Sequence, residues 1–230
     1  MVMTPQDVAR GLFEVLATGD PVLAEQVVHP EFSNREAVVS PAACSLPGPA
    51  GVLASSTWLR AAFSGLRFPV SDVSVDGDQV WLRLRMQGRH TGAFVRYRDG
   101  GLDQALPPTG AGIDSEQVHL LRLRDGKVVR HEAVRDDVTL LGQLGVFPPG
   151  PGALRVLAWK VTGRAARAAA EITVAAATGD QDRATLVEVT VPVFRPVGAA
   201  GGRAVAPAVE RDGGDHADHG QDRDPDADGR

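Results

Sequence analysis

Apolar positions at the start of the chain recur at helical spacing, with Val8, Leu12, Val15 and Leu16 on one side of a helix over residues 5–17. Thr4 supplies its N-cap, Pro5 sits where a missing N–H is harmless, and Asp7 lies near the positive end of the helix dipole. Gly19 and Asp20 end this helix, and Asp20 with Pro21 opens a shorter one that runs through Val27 and stops at a turn, His29-Pro30. In the stretch HPEFSNREA, Phe32 can anchor to a core while Asn34 beside it offers both a hydrogen-bond donor and an acceptor. A third helix over residues 50–63 follows a Pro/Gly-rich loop and carries Trp58, Leu59, Ala62 and Phe63 on an apolar stripe.

From Phe68 the period changes from helical to alternating, and Asp76, Gly77 and Asp78 form a turn between two extended segments. In the second segment Val80, Leu82, Leu84 and Met86 fall on one face and Trp81, Arg83, Arg85, Gln87 and Arg89 on the other, as in a half-buried strand. His90 is in phase with the apolar set. Residues 99–112 read as a long Gly/Pro/Asp-rich connection to a second pair of strands, 115–124 and 127–135, joined around Asp125 and Gly126. A helix over 136–144 closes the unit.

Alternation in this last strand pair assigns a face to each polar residue. Arg122 and Arg124 must lie outside, so His119, Leu121 and Leu123 lie inside; Arg130 and Glu132 must face water, so Val129, His131 and Ala133 lie inside. A plain two-residue loop would oppose His119 to Glu132 and put the two inner sets on opposite faces. A three-residue loop with a bulge near Gly126 opposes His119 to Ala133 and Leu121 to His131, which restores agreement. Gln117 is in phase with His119, so the inner surface gathers Gln117, His119 and His131, with His90 added from the earlier strand. An unsatisfied buried polar group costs about 1 to 3 kcal/mol, so this set implies water or a ligand in a cavity.

Composition narrows the chemistry. With 43% hydrophobic and 23% charged residues, the chain can bury a core, and no stretch is apolar enough for a membrane span. A net charge of -5 offers no positive field for a phosphate backbone, so neither nucleic acid nor a membrane is an expected partner. Cys44 is the single cysteine, which excludes an intrachain disulfide and fits a reducing cytoplasm, the expected location; in its Pro/Ser-rich stretch it is incidental rather than a nucleophile. The inner faces add no carboxylate in phase with the histidines, so no metal is expected there. His216 and His219 lie in an acidic stretch that favours no organised site. Three segments follow: a domain over 1–147, a linker and alanine-rich helix over 148–177, and from 178 to 230 an acidic, Gly/Pro-rich tail without the apolar content to order itself.

HPEFSN, GPAG with Trp58, GRHTGAF, PPTG, and HLLRLRDGKVVRHEAVRDD followed by LLGQLG together resemble the SnoaL-like polyketide cyclase or ester cyclase family, over about residues 5–175. The resemblance implies an α+β cone, a bent antiparallel or mixed sheet wrapped around N-terminal helices and enclosing a pocket. It implies an intramolecular aldol cyclisation of a small hydrophobic, polyketide-like substrate without metal or organic cofactor. His119 and His131 would then be catalytic, and Asn34, Trp58, His90 and Gln117 would line the substrate site. Family cyclases also carry an aspartate two residues after the second histidine, and Ala133 stands there in this chain. Either the histidines carry the acid/base chemistry alone, or the chain is a binding protein that has lost catalysis. The arginine-bearing face from Trp81 to Arg89 is a candidate surface for a homodimer or higher homo-oligomer.

Overall fold

The computed structural model describes residues 3–186. Thr4 caps helix α1, Pro5–Thr18, in a capping box in which Asp7 N–H donates to Thr4 Oγ1 and Thr4 N–H donates to Asp7. Asp20 caps α2, Pro21–Val27, through two backbone N–H donors. The chain then enters strand β1, Val28–Asn34, where a turn at His29-Pro30 was expected. β1 pairs in parallel with β8, Lys127–Arg135, close to a hundred residues away, and no local pattern announces such a partner. Helix α3, Pro49–Ala62, lies under the sheet with Trp58 buried.

Strands β2, Phe63–Arg67, and β3, Val70–Asp76, share one edge of the long strand β4, Gln79–His90. β4 pairs along its length with β7, Gly112–Arg124, and β7 pairs with β8, giving a mixed sheet of order β1-β8-β7-β4-β2 in which β3 continues the β2 edge. The apolar residues Val80, Leu82 and Leu84 of β4 are buried and Trp81 is exposed, as alternation requires. A second hairpin, β5 Phe94–Arg98 with β6 Gly101–Leu106, occupies most of what was read as an irregular connection. It turns at Asp99 and Gly100, both at positive φ.

The pairing of β7 with β8 is the expected one, His119 opposite Ala133 and Leu121 opposite His131, but the bulge is not in the loop. Asp125 and Gly126, at φ 51 and 72, make a two-residue turn, so Arg124 does pair with Lys127. The extra residue enters further along: Leu123 opposes Val128 and Arg122 opposes Arg130, which leaves Val129 unpaired between them. Val128 and Val129 are both buried, and their burial holds the bulge there.

Helix α4, Asp137–Gln143, is capped by Asp136 and buries Leu140. The division placed after residue 147 does not divide the packing. α5, Pro151–Val161, and α6, Arg164–Thr178, contribute Trp159, Ala168, Ile172 and Ala175 to the same cluster as Trp58, Phe63, Phe94 and Leu106. Small residues let α6 approach α3 closely, and Tyr97 of β5 reaches across to the Ala169 carbonyl at 3.0 Å. The tail expected from residue 178 begins instead with a short helix, α7 Gln181–Leu186, which Asp180 caps and which buries Ala184. The remainder of that segment lies outside the described residues.

Candidate functional site

The hydrophobic interior forms two clusters, one beneath α1 and α2, the other around α3 and α6. A cavity of about 90 Å³ lies where they meet, lined by Phe13 and Phe68 from one side and Trp58, Met86, Phe94 and Leu140 from the other. Its polar end is built by neighbouring strands. β7 supplies Gln117 and His119, β8 supplies His131, and β1 ends beside β8 with Asn34 directly opposite His131.

These four side chains form one hydrogen-bonded row. Gln117 Oε1 is 2.9 Å from His119 Nε2, His119 Nδ1 is 2.8 Å from His131 Nε2, and His131 Nδ1 is 3.1 Å from Asn34 Oδ1. The two imidazoles lie nearly coplanar, 17° apart, and meet edge to edge with ring centroids 5.1 Å apart, and Phe13 of α1 packs in a T-shaped contact against His119. Burial pushes the His131 imidazole down to about 3, helped by the positive charge of Arg135. Burial, then the neighbouring His131, then Arg135 hold His119 well below the ordinary histidine range. Both rings are therefore neutral at pH 7, two weakly hydrated bases at the closed end of an apolar space.

Four charged residues surround the same cavity, of which the sequence drew attention only to Asp137, as a cap of the following helix rather than a cavity residue. Glu36, in the 3-10 turn Arg35–Val39, accepts a hydrogen bond from the Ala133 N–H at 3.0 Å and pairs with Arg135 at 3.1 Å. Arg135 also lies 3.8 Å from Asp137, and Asp137 lies 4.0 Å from Arg96, which completes an alternating row of charge. Glu36 carries no signal in a lone sequence, since only the parallel seam between β1 and β8 brings it to position 133. Its own N–H donates to Asn34 Oδ1 at 3.0 Å, an Asx turn that a reader could have drawn from the Asn-Arg-Glu order.

Trp58 is in the cavity wall, its indole N–H donating to the Val95 carbonyl at 2.9 Å and its ring stacked on Phe94. His90 does not line it. It is buried against Phe63, and its Nδ1 accepts from the Thr109 N–H at 3.3 Å, tying the PPTG connection to the end of β4. Alternation put His90 on the inner face correctly; the length of β4 carried it past the cavity. Cys44 is fully buried, and burial pushes its thiol up, away from the reactive thiolate. Among the described residues no group of three or more His, Cys, Asp or Glu side chains gathers as metal ligands.

A mixed, curled sheet closing over helices, with a buried polar row at the blind end of an apolar cavity, defines the α+β cone fold. The chain belongs to the SnoaL-like polyketide cyclase family, whose model matches residues 6–144. It is 31% identical over 150 residues to the aklanonic acid methyl ester cyclase DnrD of Streptomyces peucetius, a match covering 64% of this chain and 95% of that one. It is 34% identical over 154 residues to the aklanonic acid methyl ester cyclase DauD of Streptomyces sp. strain C5, covering 65% and 87% respectively. The structure of TsrD from Streptomyces laurentii shares the fold at a TM-score of 0.50 and 22% identity, over 62% of this chain and 95% of that one.

Proposed function

We propose that the protein closes a ring in a polyketide-derived ester by an intramolecular aldol reaction, with the His119–His131 pair as its acid/base and no cofactor. The observation that carries this reading is the pair itself, buried, neutral and joined at 2.8 Å at the blind end of an apolar cavity. An aldol closure needs a base for a C–H beside a carbonyl and an acid for the alkoxide that forms, and one imidazole can do both in turn because the proton taken is the proton returned. Exclusion of water keeps the enolate from being quenched by solvent.

The cavity volume, about 90 Å³, is below the roughly 300 to 1,000 Å³ of a typical ligand site. A polycyclic substrate would therefore insert its reacting end, and its remainder would part the Arg135–Asp137 and Arg96–Asp137 pairs, which at 3.8 and 4.0 Å are the loosest of the rim. The ester and phenolic oxygens of such a substrate are suitable partners for the two guanidinium groups so released.

The test is incubation of the purified chain with aklanonic acid methyl ester, the substrate in the relatives' names. Aldol closure is an isomerisation, so the expected product has unchanged mass and a shifted chromatographic retention. His119→Gln and His131→Gln should each lower the rate by roughly 10²- to 10⁴-fold. Ala133 favours a second reading, a binding protein, since the strand offers no carboxylate there. Saturable binding of the ester without conversion would establish that reading and overturn the cyclase.

A further inference from the structure

The hydrogen-bonded row at the blind end has a direction, and the direction is fixed from one end. A backbone N–H can only donate, so the Asn34 atom that receives the Glu36 N–H must be the amide oxygen. That same oxygen faces His131 Nδ1 at 3.1 Å, and because an oxygen there can only accept, His131 Nδ1 carries a proton. In a neutral ring His131 Nε2 is then bare, so His119 must donate to it from Nδ1 across the 2.8 Å contact. This leaves one bare nitrogen in the whole row, His119 Nε2.

Gln117 faces that nitrogen. Its amide oxygen lies 2.9 Å from His119 Nε2, and its amide nitrogen points at the sulfur of Met86, 3.6 Å away and a weak acceptor. This orientation suits a protonated Nε2. With both amide oxygens turned inward, the three contacts need three ring protons, one more than two neutral imidazoles carry. Turning the Gln117 amide over gives the neutral pair a donor to Nε2, and nothing at Met86 holds the amide against turning. Asn34 has no such freedom, since its NH2 would then meet the Glu36 N–H.

The geometry points to His119 Nε2 as the nitrogen that takes and returns the substrate proton, with Gln117 as a positioning residue whose NH2 holds the single lone pair of Nε2 in the neutral row, swings off it as the substrate C–H approaches, and offers its oxygen to the protonated ring. This rests on the cyclase reading above. In the step, the substrate C–H bond breaks, its electron pair stays on carbon as an enolate, and the proton passes to His119 Nε2. The enolate carbon then bonds to the carbonyl carbon, the carbonyl becomes an alkoxide, and Nε2–H returns the proton to that oxygen. Met86 accommodates whichever end of the amide is turned away. The charged groups around the cavity are Glu36 from the 3-10 turn, Arg135 from β8, Asp137 from α4 and Arg96 from β5, linked to one another as ion pairs; α1 adds the uncharged Phe13 and Leu16, with Phe13 beside His119.

Long-range ¹H–¹⁵N correlation spectra of the ¹⁵N-labelled full chain at pH 7 test the direction without any substitution. The expected result is the Nδ1–H tautomer on both rings, the reverse of what free histidine prefers. An Nε2–H tautomer on either ring, or one ring protonated at both nitrogens, would overturn the assignment. Gln117→Glu offers only acceptors, so it should capture a proton on the pair at pH 7, visible as an imidazolium signal. It should also depress kcat on aklanonic acid methyl ester at least about tenfold, with recovery as pH is raised. Gln117→Leu should keep both tautomers and lower kcat about tenfold or more while KM moves less than about threefold. An unchanged kcat in the leucine variant would remove Gln117 from the mechanism. Failure of the wild-type chain to convert the ester would overturn the cyclase reading, whereas the tautomers are decided by the spectra alone.

Discussion

At the scale of single residues, the buried histidines make proton affinity a property of the folded state. Burial takes His90 to about 4 and His131 to about 3 and holds His119 well below 6.5. An unfolded chain binds protons on all three near 6.5, so between that pH and the lower folded values the unfolded state is the better proton binder. Stability is then fully present above about pH 7 and is lost as pH falls, by up to about 1.4 kcal/mol per pH unit for each such group. Thermal melts across pH 7.5 to 4.5 should show the fall beginning near 6.5, and a flat profile would mean the rings are charged in the fold. The same burial keeps the proposed base neutral, so any turnover on the ester should hold below pH 6.5 for as long as the chain stays folded. Ala133 has a different consequence. An aspartate at 133 would join Glu36 near the single guanidinium of Arg135, and like charges at one partner destabilise. Ala133→Asp should lower stability by about 1 kcal/mol, and Glu36→Gln in the same chain should recover most of it, both read from denaturant midpoints. Which face His119, His131 and Gln117 occupy was legible from alternation alone. Their joining to Asn34 and Glu36 was not, because a side-chain pattern carries no information about a parallel neighbour from the other end of the fold.

At the scale of elements, two hairpins turn on the same pair of residues. Asp99-Gly100 and Asp125-Gly126 both place two consecutive residues at positive φ, the twist that suits right-handed strands. The second pair was read as a turn because clear alternation flanks it. The first was missed because Arg96, Tyr97, Leu102 and Asp103 blur the alternation on either side of an identical turn signal. A methyl group at Gly126 meets nothing within 4 Å, so Gly126→Ala should cost only the left-handed backbone penalty, about 1 kcal/mol by chemical denaturation. Gly92 is the contrasting case: its φ is ordinary, but an added Cβ would run into the Ala61 carbonyl, and its N–H and that of Thr91 bind the Ala62 carbonyl. Gly92→Ala should therefore cost more than Gly126→Ala, and equal losses would show that the end of α3 yields easily. The bulge at Val129 shows what alternation can and cannot specify. It required one extra residue somewhere between the turn and His131; the burial of two consecutive valines decided where.

At the scale of the molecule, the helices beyond the family match belong to the same core as the site. Ile172 is fully buried on α6, in a cluster with Trp58 and Phe94 of the cavity wall. Ile172→Ala should cost about 2 to 5 kcal/mol and should also weaken ester binding, because the wall it supports is the wall that Trp58 and Phe94 form. A stability loss with unchanged binding would separate the two. The sequence pattern gave α6 its helix but not its place, since an alanine-rich face reads as weakly hydrophobic whether it is exposed or packed against another helix. The α+β class and the two strand pairs around Gly77 and Gly126 were legible, but not the order in which the strands join; the boundary at residue 147 was an artefact of the Pro/Gly run that joins two parts of one core.

The packing of α6 on α3 bears on how this chain can be recombined with its relatives. The match to DnrD takes in 95% of that protein and leaves about a third of this chain unmatched, yet part of that third supports the cavity. A graft that exchanges residues 6–144 for a relative's equivalent would set foreign residues against Ile172 and Tyr97's partners on α6. The transferable block for building hybrids is therefore residues 5–178, α1 through α6, so that the helix travels with the wall it was shaped against.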